Sequence, residues 1–318
     1  MWAENFSPAA TGEAMKRLLI IGEMLIDLIS EDYAKSVGDA DRFNRFAGGS
    51  SANIAGNLAD FGFLPSFVSK VGTDVFGDFL IRNLEERGMD ISNIQRDNRY
   101  HTSLVFVAKS KESPDFVAAR AADCQIEHTT ELESLIERCD YLHISCWPLS
   151  YDPSRTLVLK IVEQCAEQGK RVCFDPNYRP ILWERGTDAF QTLRRVFSRA
   201  FLCKPSEDDA FHIFGEGDAN EYIEKFHQAG VRNVMLTLGK KGALISDGSR
   251  VEPLLPLAKR VVDTTGAGDG FWSGVYAGLL QGMDIFESAR MGNAVATYRV
   301  EHLGGGTKLP ALQEILKR

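Results

Sequence analysis

Long apolar runs are missing from this 318-residue sequence. The one N-terminal candidate, Leu18 to Ile29, is broken by Glu23 and Asp27 and is followed by no small-residue cleavage site. It predicts neither a membrane span nor a secretory signal, and a cytoplasmic location is expected. Cysteines are few and unpatterned: Cys124, Cys139, Cys146, Cys165, Cys173 and Cys203 form no CxxC pair and no His-Cys metal spacing, so buried reduced thiols are expected. Basic charge is also short, with 36 Lys and Arg against 44 Asp and Glu for a net charge of -8. That balance excludes a general nucleic-acid or anionic-membrane surface, because counterion release needs a basic face. Internal repeats, low-complexity tracts and Pro/Gly/Ser linkers are absent, and so is the GxxxxGK[ST] signature of a P-loop.

What is present is a rhythm. Short apolar runs at 17–22, 66–71, 141–145, 171–175, 200–204 and 233–238 read as buried strands. Between them, 51–60, 77–87, 156–168 and 219–228 carry apolar residues at helical spacing. Alternating strands and helices predict a mainly parallel sheet covered by helices. Two segments, 27–47 and 95–125, break the rhythm, and alternation at Thr102, Leu104, Phe106 and Ala108 suggests exposed antiparallel strands forming a small lid sheet. Its apolar face would need covering by substrate or by a second subunit. Residues 1–15 are expected to be a disordered extension and 16–318 one domain carrying the lid.

The most informative stretch is Asp263-Thr-Thr-Gly-Ala-Gly-Asp269. Apolar or small residues at 271, 274, 275, 278 and 279 fall on one helical face, which places Gly266, Ala267 and Gly268 at a helix N-terminus. Two glycines there permit positive φ and close approach, and the unpaired amides with the helix dipole favour an anion such as a transferring phosphoryl group. Asp269 at the same turn suits a general base for an attacking hydroxyl. A carboxylate so placed is a weak base, so the proton is expected to move late, after the oxygen has begun to bond phosphorus. A tight turn capped by Asp269 is the bland alternative, and it would win for an isolated GxG. A dinucleotide fold expects its glycine turn after the first strand, whereas this one comes late in the chain.

These residues resemble the ribokinase-like, or PfkB, carbohydrate kinase family over about 18–310, closest to its fructokinase and 2-keto-3-deoxygluconate kinase members. A second family signature is matched by Phe46-Ala-Gly-Gly-Ser-Ser-Ala-Asn-Ile-Ala-Gly-Asn57, in the same order along the chain. The resemblance implies a three-layer α/β/α sandwich with a mainly parallel central sheet and a small β-sheet lid. It implies transfer of the γ-phosphoryl of ATP to a small sugar, with Asp269 as base and the Gly266–Gly268 turn as anion hole. Gly48, Gly49 and Asn53 would hold sugar hydroxyls, Asp27 at the end of the first strand would accept from vicinal hydroxyls, and Arg120 on the lid would lie over the acceptor.

Asp175-Pro-Asn-Tyr-Arg179 resembles a segment near the transfer site, where Arg179 would balance charge and Asp175 and Asn177 would organise metal-bound water. Lys204-Pro-Ser-Glu-Asp-Asp209 stands where the family has Asn-x-x-Glu, with Ser206 replacing Asn and Asp209 replacing Glu as the expected Mg²⁺ contact. Thr237, Gly239 and Gly242 would approach the nucleotide phosphates and Asn293 the base or ribose. Asp263 and Thr265, with 304–306, would hold K⁺ as in some relatives. Lid-mediated homodimers are common among similar proteins. A ketohexose such as fructose is the expected acceptor, a sugar acid gripped by Arg120 the alternative, and a catalytically silent binding or regulatory protein of the same fold the reading from another class.

Overall fold

The computed structural model describes residues 15–110, 115–302 and 306–317. The strands described are β1 (Leu18–Ile21), β2 (Leu25–Tyr33), β3 (Phe43–Gly48), β4 (Ser66–Gly72), β5 (Ile94–Asp97), β6 (Leu104–Lys109), β7 (Phe116–Ala119), β8 (Tyr141–Ser145), β9 (Arg171–Asp175), β10 (Ala200–Cys203), β11 (Asn233–Thr237), β12 (Ala243–Ser246) and β13 (Val251–Leu254). The helices are α1 (Ser50–Asp60), α2 (Val75–Glu85), α3 (Thr130–Arg138), α4 (Cys146–Leu149), α5 (Ser154–Glu167), α6 (Ala189–Phe197), α7 (Glu207–Phe214), α8 (Ala219–Gln228), α9 (Ala267–Leu279), α10 (Ile285–Val300) and α11 (Leu312–Leu316).

Nine strands form one sheet in the order β13-β12-β11-β10-β9-β8-β1-β4-β5. From β5 to β11 all neighbours run parallel, and β12 and β13 are antiparallel additions at one edge. Strand periodicity builds two cores from one sheet. Leu18 and Ile20 of β1 join a cluster with α1, α2, α9 and α10, while Leu19 and Ile21 join another with α3, α5, α6 and α8. All four side chains are at most 3% exposed, which is why β1 reads as an unbroken apolar run rather than an alternating one. The result is the expected three-layer arrangement. None of the described helices is long and apolar enough to cross a membrane.

A second sheet has the order β3-β2-β6-β7. Its outer pairs are antiparallel, but β2 and β6 at its centre run parallel, so it is a mixed sheet and not the antiparallel one expected. The expected boundaries also shift: β5 pairs with β4 in the large sheet, and only 104–119 of the later segment contributes strands to the small one. Leu25 and Val105 from this sheet pack on Trp147 and Leu182 of the body.

Helix α9 packs against α10 at unusually close range, and three glycines allow it. A Cβ at Gly274 would lie 2.5 Å from the Met291 carbonyl oxygen, one at Gly278 2.6 Å from Ser288 Oγ, and one at Gly292 of α10 2.7 Å from the Phe271 carbonyl oxygen. Side chains at these positions would force the backbones apart.

Candidate active site

Four parallel strands, β1, β8, β9 and β10, end on the same side of the large sheet, and the N-termini of α1 and α9 converge beside them. Such a crevice at strand C-termini is the usual place for a ligand in open α/β sheets. Gly266 takes the left-handed φ of 75° as N-cap of α9, a conformation in which a side chain would be strained. Gly268, by contrast, lies inside the first helical turn and does not have positive φ, contrary to the expectation for both glycines. The Ala267 amide turns back onto the Thr264 carbonyl at 3.2 Å. The amides of Gly268 and Asp269 have no acceptor among the described residues, so two of the first-turn donors remain directed outward at the positive end of the helix.

Asp269 is half-buried and held by α1. Ser50 Oγ donates to its Oδ1 at 2.6 Å, and Asn53 Nδ2 donates to its Oδ2 at 2.8 Å. Ser50 and Asn53 are three residues apart, on one face of α1. Asn57, one turn further, donates to Ser273 Oγ of α9, while its Oδ1 accepts from both Arg87 and Arg299. The two helices are thus joined by a polar seam that starts at the carboxylate. Sequence reading found Asn53 but passed over Ser50; the signal available was the polar stripe 50, 53 and 57 at helical spacing.

Asp27 on β2 stands close by. Burial, and then the charge of Asp269, pushes its carboxyl up to about 7. A Cβ on Gly48 would overlap that carboxyl, and one on Gly49, whose φ is 99°, would lie 2.6 Å from the Glu23 carbonyl oxygen. The glycine pair therefore makes room for Asp27 and lets α1 start against β1. Glu23 itself is buried, and burial pushes it up to about 7 while the backbone amide and hydroxyl of Ser51 and the hydroxyl of Ser145 donate to it.

Behind α9 lies an ammonium that sequence reading missed as a site residue. Lys204 follows β10, is 5% exposed, and sits 3.5 Å from Asp175 Oδ2. Its Nζ is 3.7 Å from the point where a Cβ on Gly268 would be. Trp272 Nε1 donates to the same Asp175 oxygen at 2.9 Å. Burial pushes Asp175 up to about 6, against the pull of Lys204, with Asp209 and Asp269 adding to the rise. The next turn holds Asn177 at φ 34°, a left-handed conformation that asparagine tolerates.

Several expected residues have other work. Arg120 is enclosed: its guanidinium donates to Asp123 Oδ2 at 2.7 Å, Ser150 Oγ at 2.8 Å and the Trp147 carbonyl at 2.9 Å, and it stacks on the Trp147 ring. It braces β7 to the body instead of offering a fork to an acceptor, a correction to its expected role. Asp209 accepts from the Tyr178 amide on one oxygen and from Ser206 on the other, in a capping box at the start of α7. Both oxygens accept hydrogen bonds within the protein, and Ser206 serves as the cap.

Arg179 is tied to Asp208 at 3.2 Å and Asp209 at 3.4 Å. Thr237 ends β11 with its amide on the Pro205 carbonyl, next to the open turn of Gly239, whereas Gly242 is required sterically because a Cβ there would overlap the Leu254 carbonyl. Asn293 Nδ2 donates to the Leu255 carbonyl at 2.8 Å and so pins the loop after β13. Asp263 Oδ1 accepts the Thr265 amide at 2.9 Å in a local turn beside the hole, and Gly304 and Gly305 lie outside the described residues.

Comparison with known proteins shows the family. A family model described as pfkB family carbohydrate kinase matches residues 15–312. A protein named ATP-dependent 6-phosphofructokinase, from Thermoanaerobacterium thermosaccharolyticum, is 41% identical over 94% of this chain and 92% of its own. A solved fructokinase from Halothermothrix orenii is 36% identical with a TM-score of 0.78, covering 87% of this chain and 97% of that one. A fructokinase from Vibrio cholerae, solved with fructose, ADP and calcium ion bound, is 26% identical with a TM-score of 0.83 over 95% and 98%.

Proposed function

Because the chain belongs to the pfkB family of carbohydrate kinases, we propose that it transfers the γ-phosphoryl group of ATP to a hydroxyl of a neutral ketohexose such as fructose. The observation that carries this reading is the meeting of Asp269 with two outward amides at one helix start, while α1 presents hydroxyl and amide groups to the same carboxylate. ATP supplies the phosphoryl group and its leaving diphosphate.

The protein supplies position and charge. The Gly268 and Asp269 amides, with the buried Lys204 ammonium behind them, face the oxygens on which charge accumulates during transfer. Asp269 orients the acceptor hydroxyl and receives its proton as the new bond forms. Asp27 accepts from a second sugar hydroxyl, and the β2-β3-β6-β7 sheet serves as the lid over the acceptor within a kinase domain of 16–318. Thr237, Gly239 and Asn293 lie toward the nucleotide.

The described residues contain no group of three His, Cys, Asp or Glu side chains able to hold a metal. Magnesium belongs to the proposal as an ion carried on the ATP phosphates with much of its water shell, the usual habit of Mg²⁺ in kinases. Potassium at Asp263 and Thr265 belongs to the same proposal and is tested by exchanging K⁺ for Na⁺ in the assay. So does a homodimer across the outer lid face, where Phe43 and Phe106 meet edge to face and Val117 is exposed; sedimentation at several concentrations tests it.

A neutral acceptor follows from the guanidinium groups near the pocket. Arg120, Arg87 and Arg179 are each held by carboxylates, while Asp27 and Asp269 make the acceptor side acidic. A sugar acid or phosphosugar would meet repulsion there. The name of the 41% identical relative favours fructose 6-phosphate instead. ADP release with fructose, fructose 6-phosphate, 2-keto-3-deoxygluconate and ribose decides. Fructose should give the highest kcat/KM; turnover confined to a phosphorylated or acidic sugar would overturn the neutral-acceptor reading, and no turnover on any would favour the silent protein.

A further inference from the structure

The base is in contact with an alcohol of its own chain. Ser50 Oγ lies 2.6 Å from Asp269 Oδ1, a short hydroxyl-to-carboxylate hydrogen bond of the kind an acceptor sugar must make. The other serines nearby are engaged elsewhere. Ser51 is fully buried and donates to Glu23, and Ser273 donates to the backbone carbonyl of Asp269 at 2.6 Å. Among the described residues only Ser50 places a primary hydroxyl on the carboxylate itself, and it is half-buried, not sealed off.

We propose that Ser50 is a self-phosphorylation site: with ATP bound and no sugar present, its hydroxyl takes the acceptor's place and accepts the γ-phosphoryl group. The step balances. Ser50 Oγ bonds the γ-phosphorus, the bond from that phosphorus to the β,γ-bridging oxygen breaks, ADP leaves with that electron pair, and the hydroxyl proton passes to Asp269. The inference rests on the reading of Asp269 as base.

Three features of the structure favour the step. The nucleophile is held against its base by the fold, so no second molecule has to be brought in. Asp269 carries its own free amide and that of Gly268 on the adjoining backbone, which puts the anion hole within a residue of the hydrogen-bonded pair. The product is a phosphoserine at the first residue of α1, where the positive end of the helix offsets part of the repulsion from the neighbouring Asp269 carboxylate. Sugar competes for the same carboxylate, so acceptor and self-modification exclude each other. The modified protein carries its phosphate where the acceptor hydroxyl must bind, and is inactive.

The test is mass spectrometry of the full-length protein incubated with Mg-ATP. Without sugar, one phosphoryl group should appear and map to Ser50, and activity measured afterwards should fall in proportion to the modified fraction. Fructose in the incubation should suppress the modification. Ser50→Ala should take up no phosphoryl group and should not lose activity on incubation, Ser50→Thr should retain some modification, and Asp269→Asn should lose both reactions. A preparation that phosphorylates sugar but leaves Ser50 unmodified, or is modified only elsewhere, overturns the inference and spares the kinase reading. One that phosphorylates neither overturns both.

Discussion

Asp27→Asn should make the sugar-free protein more stable and a worse kinase at the same time. Burial and the neighbouring Asp269 move the Asp27 carboxyl from 3.8 to about 7. A carboxyl whose folded value is raised holds its proton more tightly in the folded state, so stability is lost as pH rises from about 4 through 7. At about 1.4 kcal/mol per pH unit the full loss above pH 7 is about 4 kcal/mol, and access of water to this half-buried group reduces it to roughly 2–4 kcal/mol. Asparagine cannot ionise and escapes the loss. With an unfolding entropy of about 2.1 cal/mol/K per residue over 318 residues, 1 kcal/mol is worth about 1.5 °C, so Tm should rise by roughly 3–6 °C at pH 8. The gain should shrink steadily as pH falls from 7 toward 4. In kinetics, loss of a charged acceptor for a sugar hydroxyl should weaken use of the sugar by about 1.5–3 kcal/mol, roughly 10- to 150-fold in kcat/KM. Calorimetry of both proteins at pH 8, 6 and 5 reads the first effect and ADP release the second. No gain in Tm at pH 8, or a gain equal at all three pH values, would refute the reasoning; the trade of stability for function would then lie elsewhere.

Arg120→Ala should destabilise the fold by about 3–5 kcal/mol in chemical denaturation, because it strands the buried Asp123 carboxylate; an unchanged midpoint with a raised sugar KM would return Arg120 to the acceptor site. Gly274→Ala should lower the denaturation midpoint by a net amount of about 1–2 kcal/mol, since overlap with the Met291 carbonyl outweighs the helix propensity gained. Greater stability of that variant would mean that α9 and α10 can part freely. Lys204→Met should lower kcat about 10²- to 10³-fold with little change in sugar KM, measured by ADP release, because the ammonium borders the anion hole and not the acceptor. A kcat within a few-fold of the parent would make the Lys204–Asp175 pair purely structural.

The large sheet was legible because buried parallel strands announce themselves as short apolar runs, and 141–145 and 171–175 have the expected bounds. The small sheet was less so. Its central pair, β2 and β6, joins segments far apart in sequence, and a pattern of alternation does not reveal strand direction. Asp269 could be found because its glycine turn and its helix are neighbours in sequence. Lys204 could not, since it reaches the site only through tertiary packing; Ser50, which meets Asp269 across 219 positions, left no trace but its place in the polar stripe of α1. Arg120 misled for the opposite reason: Asp123, three residues on, folds back to neutralise it, and spacing alone does not distinguish an internal brace from a free claw.

Three residues, Gly22 to Met24, splice β1 into β2. The small sheet is therefore no flap on a loose tether but an outgrowth of the central strand, and any swing of it would bend the chain at Glu23. That side chain is gripped by the hydroxyls of Ser51 and Ser145. On the proposed reading, a tilt of that sheet would pull on Ser51 at the start of α1, one residue from the hydroxyl that touches Asp269, and so couple sheet and carboxylate.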